Sequence, residues 1–200
     1  MIIALTVIGA NIPDYDHKVK RDTVYKIIIL GLILFITCYI LNLHYFIGLD
    51  IVLLGIIFYF SNHRSFTHSI LGLFLLTLLI TLILILAIDL IPISYNYWLI
   101  AILTSLLGFL FLNKKLLYIF IPSLFISLFF IGTMDITYIQ MGFAIFLGIF
   151  SHLILDSFSQ AGIKLFAPFS SKKFYKKFGI ISMVFLISLI ILNYYFKYLI

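Results

Sequence analysis

Long apolar stretches alternate with short polar segments along the whole chain. Most stretches approach the roughly 20 residues that an α-helix needs to cross a hydrocarbon layer about 30 Å thick. Transmembrane β-strands would alternate apolar and polar residues over about ten positions, and no such alternation is visible. The pattern predicts an all-α, polytopic transmembrane helix bundle with about seven to eight membrane segments. The predicted spans are residues 25–43, 46–60, 69–88, 95–112, 116–132, 139–155 and 178–199, preceded by a short stretch at 1–12.

The composition supports a membrane protein rather than a soluble one. Hydrophobic residues make up 64% of the 200 residues and charged residues only 10%, against about a quarter in soluble domains. No repeat or linker divides the chain, so we predict one integral membrane domain over residues 1–200. The first 12 residues lack the positive region that opens a signal peptide, and we expect them to be retained. Cys38 is the only cysteine, which excludes a disulfide within the chain.

Lysines and arginines are concentrated in alternate connections between the predicted spans. Positively charged connections stay on the cytoplasmic side of a membrane. Twelve of the 13 cationic residues lie in these connections: Lys18, Lys20, Arg21, Lys26, Arg64, Lys114, Lys115, Lys164, Lys172, Lys173, Lys176 and Lys177. We therefore predict a protein of the plasma (cytoplasmic) membrane with these connections facing the cytoplasm. Topology already explains the net charge of +6, so a nucleic-acid partner is not expected.

Three polar clusters carry most of the histidines, and the predicted topology places all three at the cytoplasmic face. They are Pro13-Asp14-Tyr15-Asp16-His17, His63-Arg64-Ser65-Phe66-Thr67-His68 and Ser151-His152-Leu153-Ile154-Leu155-Asp156. Imidazoles and carboxylates are ligands of divalent transition metals, zinc among them. We predict a divalent metal site, and the candidate ligands are Asp14, His17, His63, His68, His152 and Asp156. With Asp16 the set suffices for one open site or for two metals sharing a carboxylate.

Two further residues of the clusters have candidate catalytic roles. Asp16 is a spare carboxylate that could accept a proton, and Arg64 could hold a phosphate or a developing oxyanion. His152 and Asp156 are four residues apart, so a continuous helix would present both on one face. The simpler interpretation is that these polar helix ends only satisfy one another at the membrane boundary. Ionisable groups at membrane depth are costly, which favours a functional site.

Other polar residues have simpler explanations. His44 suits an interfacial position in the opposite connection. Asp50, Asp89 and Asp135 lie on the predicted outer side, where solvation accounts for them. Residues 166–178 interleave aromatics with lysines, as a segment at an anionic headgroup layer does. Retention on the cytoplasmic side and capture of a lipid substrate explain that segment equally well.

The three clusters, in this order, resemble those of the membrane-bound metal-dependent hydrolases called the YdjM family. The similarity continues through Ala161-Gly162-Ile163-Lys164-Leu165-Phe166-Ala167-Pro168-Phe169. It implies an inner-membrane protein described as a hydrolase, with no assigned substrate. Two features depart from the family pattern. No histidine precedes His17, where family members usually have one in a helix, and Ser159-Gln160 stands where the family tends to have Thr-Pro.

The sequence thus favours a membrane-bound metal-dependent hydrolase acting on phosphoester or lipid-linked substrates at the bilayer. The chain contains no glutamate, which excludes zinc proteases of the His-Glu-x-x-His kind, whose general base is a glutamate. It also lacks the Gly-x-Ser-x-Gly motif of the commonest serine hydrolases. The alternative is a non-enzymatic membrane protein, either a metal-ion transporter or a scaffold with a structural metal. Transport is less favoured because several span centres lack ionisable residues.

Overall fold

The computed structural model describes residues 1–17, 20–90, 96–131 and 137–199. Within these ranges the chain forms α-helices and no β-strand, with one isolated bridge between Ile163 and Phe174. The helices are α1 (Ile2–Gly9), α2 (Arg21–Ile40), α3 (Phe46–Phe60), α4 (Ile70–Asp89), α5 (Asn96–Phe111), α6 (Lys114–Ile131), α7 (Tyr138–Ser157) and α8 (Lys176–Leu199). The predicted all-α class is confirmed. Lys18 and Asp135, which figured in the sequence analysis, lie outside the described residues.

Three helices in the described part of the chain, α2, α4 and α7, are long and apolar enough to cross a membrane. Helix α3 and residues Trp98–Phe111 are shorter apolar helices. Apolar side chains also cover the outside of the bundle, as Phe74 at 60% exposure and Ile139 at 84% illustrate. Such a surface suits lipid rather than water. The number of seven to eight membrane segments stays a prediction.

Helix α7 packs against α1, α4 and α8, while α2 and α3 form a closely packed antiparallel pair. Helix α1 has eight residues, a rise of about 12 Å, which is too short to cross a bilayer. It buries Leu5 and Ile8 and crosses α7 where Gly9 meets Gly148. A Cβ atom on Gly148 would lie 2.2 Å from the carbonyl oxygen of Thr6. Only glycine permits this approach.

Two short 3-10 turns bring the polar clusters to one end of the bundle. The turn at Pro13–Asp16 connects α1 to α2, and the turn at Phe66–His68 directly precedes α4. Ser69 caps α4 by accepting a hydrogen bond from the Gly72 amide at 3.0 Å, as a serine N-cap does. The amide of Ile70 donates to the carbonyl of Leu165 at 2.9 Å. The segment after α7 is thereby held beside the second turn.

Candidate metal centre

Two histidines from separate elements face each other at this end of the bundle. His68 ends the 3-10 turn before α4, and His152 lies in the last part of α7. Their Nε2 atoms are 3.3 Å apart. His68 is completely buried, and the His152 side chain is 14% exposed. The tertiary fold thus brings together two imidazoles that are 84 residues apart in sequence.

Hydrogen bonds at the other ring nitrogen fix the tautomer of both histidines. The Nδ1 of His152 is 2.7 Å from the carbonyl oxygen of Ala10, and a carbonyl can only accept, so this nitrogen carries the proton. The Thr67 hydroxyl donates to Asp16, which leaves its oxygen to accept from the His68 Nδ1 at 3.0 Å. In the neutral rings both Nε2 lone pairs therefore point at each other. That arrangement is repulsive unless a proton or a metal ion lies between them.

Two carboxylates approach the same point. The Asp14 Oδ1 atom is 3.5 Å from the Nε2 of His152 and 4.0 Å from that of His68. The Asp156 Oδ2 atom is 3.3 Å from the Nε2 of His68 and 3.8 Å from that of His152. Four ligands about 2.1 Å from a tetrahedral metal are about 3.4 Å from one another. Asp14, His68 and His152 each offer one ligand atom, and these atoms lie within 4.8 Å of one another, which fits a divalent metal, with Asp156 beside them.

The Asp156 carboxylate adds an independent sign of a missing partner. Its Oδ2 is buried and has no hydrogen-bond partner among the described residues, and the same holds for the Nε of Arg64, 3.4 Å away. The Nη1 of Arg64 donates to the Ser159 hydroxyl at 2.8 Å. Arg64 has a φ of 58°, a conformation that non-glycine residues adopt at some energetic cost and often at functional sites.

Asp16 lies behind His68, on the side away from the facing Nε2 atoms. Its buried carboxylate accepts from Thr67, contacts the Nδ1 of His63 at 2.9 Å and lies 3.4 Å from the Nδ1 of His68. Burial opposes ionisation of Asp16, but these hydrogen bonds outweigh it, and the pKa of the carboxyl falls below its ordinary value. A carboxylate behind a ligand histidine is the usual second layer of a metal site.

The surrounding carboxylates make the site attractive to positive charge. Burial alone would lower the pKa of His68, but the nearby carboxylates of Asp156 and Asp16 overcome it and raise that pKa to about 9. Carboxylates converge on His68 from three aspartates, while Arg64 pairs with Asp156 and Lys20 lies near Asp14 and Asp16. A cation between the rings would relieve this excess of negative charge.

His17 and His63 lie to one side of the four facing groups. Their ring centroids are 4.8 Å apart, and His63 is 5.4 Å from His68 by the same measure. Both rings line a cavity of about 190 Å³ together with Asp16, Arg21 and Asn62. The predicted ligand set thus divides in two, with Asp14, His68 and His152 around one point and Asp156 next to them, and the other two histidines beside Asp16.

Sequence reasoning named the charged residues of the centre but missed three groups that orient them. Thr67 is completely buried between Asp16 and His68. The sequence feature that could have identified Thr67 is its position inside the second motif. Ser159 binds Arg64, at a position where the sequence departs from the family pattern. The Ala10 carbonyl orients His152, and a main-chain group leaves no mark in the sequence.

A sequence profile described as the YdjM inner membrane protein matches residues 1–199. The chain belongs to the YdjM inner membrane protein family. The resemblance inferred from the three motifs is confirmed, and in this YdjM protein the match also covers the helices between them. YdjM membership together with three long apolar helices identifies an inner membrane protein. No curated protein and no solved structure matches the chain.

Proposed function

We propose that this protein is a membrane-bound metal-dependent hydrolase that cleaves phosphoesters, including lipid-linked ones, at the cytoplasmic face. One observation carries the proposal: the Nε2 atoms of His68 and His152 face each other at 3.3 Å, with both Nδ1 atoms engaged elsewhere. Asp14 and Asp156 supply oxygen ligands at the same point. Two imidazoles and two carboxylates are a donor set for zinc or a similar divalent ion.

Exposure of one ligand favours catalysis over a structural role. The Asp14 side chain is 45% exposed, whereas that of His68 is completely buried. Structural zinc sites are closed by four protein ligands, and catalytic sites keep a position open to water or substrate. The exposed Asp14 side chain leaves the centre accessible to water. A metal bound there would polarise a phosphoryl group and acidify water.

We assign acid–base chemistry to His63 together with Asp16. The Asp16 carboxylate accepts from the His63 Nδ1 at 2.9 Å, which leaves the His63 Nε2 as the proton acceptor. The carboxylate then stabilises the imidazolium that forms, as in other His–Asp pairs. Asp16 thus acts through His63 and at the same time orients His68. His63 lines the 190 Å³ cavity and is 36% exposed at its side chain, so solvent reaches it.

Arg64 has the role of holding phosphoryl oxygens. Its backbone conformation and its hydrogen bond to Ser159 fix the guanidinium beside Asp156. The buried Nε is a donor without a hydrogen-bond partner in the described residues. Guanidinium groups bind phosphate oxygens through paired hydrogen bonds. Arg64 would therefore stabilise the charge that develops on the phosphoryl group.

The first experiment measures metal content and hydrolysis on the same preparations. Wild type, His68→Ala, His152→Ala and the control His44→Ala are purified in detergent without added metal and analysed by elemental mass spectrometry. His44 is exposed and remote from the motifs in sequence. We expect about one divalent ion per chain in wild type and the control, and little in the other two, because each loses a ligand. Hydrolysis of bis-p-nitrophenyl phosphate should follow metal content and stop with a chelator.

The outcomes separate the proposal from its alternative. Metal retained in both His68→Ala and His152→Ala would contradict the assigned ligands. Stoichiometric metal in wild type, with no cleavage of phosphodiester, phosphomonoester or phosphatidic acid, would favour a structural metal. In that case chelation should also lower the unfolding temperature, because a structural metal contributes directly to folding free energy.

A further inference from the structure

A groove lies beside the end of α3, outside the group of facing ligands. Its volume is about 400 Å³, and three apolar residues of α3 and three polar residues of the following loop line most of it. These are Ile56, Ile57 and Phe60, followed by Ser61, Asn62 and Ser65. Pro168, from the segment after α7, lines the groove as well. The helix end of the groove is apolar, and the loop end combines these polar residues with the ring of Phe66.

The apolar half of the groove opens on the outer surface of the bundle. Phe60 is 76% exposed and Ile56 is 40% exposed. Helix α3 ends at Phe60, so the change from apolar to polar lining coincides with the change from membrane helix to loop. A groove divided at this level matches an amphiphile whose chain lies in hydrocarbon and whose head group lies at the boundary.

The polar half of the groove leads to the candidate site. Ser61 and Asn62 line the groove and also line the 190 Å³ cavity that contains Asp16, His17 and His63. The two cavities are therefore adjacent, with these two residues between them. A head group that passes Asn62 from the groove reaches the His63 ring, which we assign to proton transfer. The groove thus lies between the membrane surface and the cavity of His63, beside the metal ligands.

The charge along this path suits an anionic head group. Arg21 lines the inner cavity, and Arg64 lies in the same loop as Asn62, with its Nη1 bound to Ser159. Guanidinium groups select phosphate over neutral head groups. By contrast, an apolar cavity of about 520 Å³ among helices α2 to α5 has only hydrophobic lining. That cavity could hold a chain but offers nothing to a head group.

We propose that the groove beside α3 binds a membrane lipid whose phosphate head group carries a net negative charge, with its acyl or isoprenoid chain on Ile56, Ile57 and Phe60. The head group lies against Ser61, Asn62 and Ser65 and extends towards His63. The choice of a phosphate head group rests on the proposed function. It names the substrate class of that site as a lipid that approaches from the bilayer, and it excludes a soluble metabolite as the main substrate.

The test is photolabelling in a bilayer. Protein is reconstituted in phosphatidylcholine vesicles that contain a small fraction of phosphatidic acid with a diazirine on one acyl chain. After illumination, labelled peptides are mapped by mass spectrometry. Ile57→Trp, which fills the groove, is compared with Leu106→Trp, a control that lines the apolar cavity. Phe60→Ser, at an exposed position, removes a chain contact without risk to the core.

We expect labelling in wild type to concentrate between residues 56 and 66 and near Pro168. It should fall about tenfold in Ile57→Trp and clearly in Phe60→Ser, and remain unchanged in Leu106→Trp. A diazirine phosphatidylcholine should label the groove less than the phosphatidic acid does. Labelling spread evenly over the outer helices, or equal in wild type and both groove variants, overturns the proposal. A monodisperse elution profile in detergent and an unfolding temperature equal to wild type identify variants that are correctly folded.

The same samples separate this inference from the proposed function. A labelled groove in a protein that holds no metal and cleaves nothing supports the lipid site and overturns the hydrolase. Metal-dependent cleavage of a soluble phosphoester combined with even labelling overturns the groove and leaves the hydrolase intact.

Discussion

His68 and His152 illustrate how much of this site depends on single nitrogen atoms. Each ring has its Nδ1 engaged, His68 with Thr67 and Asp16 and His152 with the carbonyl of Ala10. Each therefore presents Nε2 to the same point, 3.3 Å from the other. A metal and a proton compete for that position, because a histidine binds metal only when the coordinating nitrogen is unprotonated.

At the residue scale this competition predicts a pH dependence of metal binding. The pKa of His68 without metal is raised to about 9 by Asp156 and Asp16, so the ring is protonated at neutral pH and metal must displace that proton. Below pH 9, lowering the pH by one unit should weaken metal binding by about tenfold, since one proton is released for each metal ion bound. Above pH 9 the dependence on His68 should disappear. Metal titrations of chelator-treated protein at several pH values measure this slope.

Asp16→Asn provides the control for that prediction. Loss of the carboxylate removes one of the two groups that raise the pKa of His68. The pH above which metal affinity no longer depends on His68 should therefore be lower than in wild type. Metal affinity should fall about 10–100-fold, as for other residues that support a ligand histidine. Identical titration curves for wild type and Asp16→Asn would contradict the assigned contact between Asp16 and His68.

At the scale of elements, the crossing of α1 and α7 decides whether His152 is oriented. Gly9 and Gly148 allow the two backbones to touch, and a Cβ on Gly148 would lie 2.8 Å from the Ala10 amide nitrogen. The Ala10 carbonyl that fixes His152 belongs to the same residue. The close crossing and the hydrogen bond are therefore a single arrangement, and α1 contributes to the site although it is too short to cross the membrane.

Gly148→Ala should disrupt both the crossing of α1 and α7 and the hydrogen bond between Ala10 and His152. The added methyl group forces α1 away from α7, at a cost of about 1–3 kcal/mol in unfolding free energy, and breaks the orientation of His152. We expect a lower unfolding temperature in detergent and reduced metal affinity. Gly142→Ala is the matched control on α7, because its Cβ would meet only the Thr81 side chain, at 3.2 Å. Equal effects from both substitutions would contradict a special role for the crossing.

At the scale of the whole molecule, the described fold brings the three polar clusters to one end of the helix bundle. The distribution of lysine and arginine predicts that this end faces the cytoplasm, because cationic connections resist translocation. Metal supply, substrate leaflet and the lipid groove all depend on that orientation.

Cysteine labelling in intact cells tests the orientation. Cys38 is buried and is replaced by alanine, after which His44→Cys and Lys172→Cys are made separately. We expect a membrane-impermeant maleimide to label residue 44 from outside, and residue 172 only after the membrane is made permeable. Both positions are exposed. Residue 44 lies in a connection predicted to be on the outer side of the membrane, and residue 172 in one predicted to be cytoplasmic. Labelling of residue 172 in intact cells would contradict the predicted orientation.

The helices were predictable because a membrane span has a strong signal, about 20 apolar residues with few charges. Helix α4 is observed at Ile70–Asp89 against a predicted 69–88, and α7 at Tyr138–Ser157 against 139–155. The clusters were also visible, since ionisable residues stand out in an apolar chain. The sequence could not separate the candidate ligands that surround one point from those that lie behind it. The identity of a residue does not tell where its side chain points in the folded protein.

By itself, the sequence determined an apolar helical protein of the inner membrane, with histidines and aspartates in three motifs of the YdjM family. Only the tertiary structure decided that Asp14, His68 and His152 face one point with Asp156 beside them, while Asp16 lies behind His68. It also decided that the Ala10 carbonyl and the Thr67 hydroxyl set the two tautomers. The physical reason is that composition and periodicity record the partition between lipid and water. Ligand geometry depends instead on contacts between groups up to 142 residues apart.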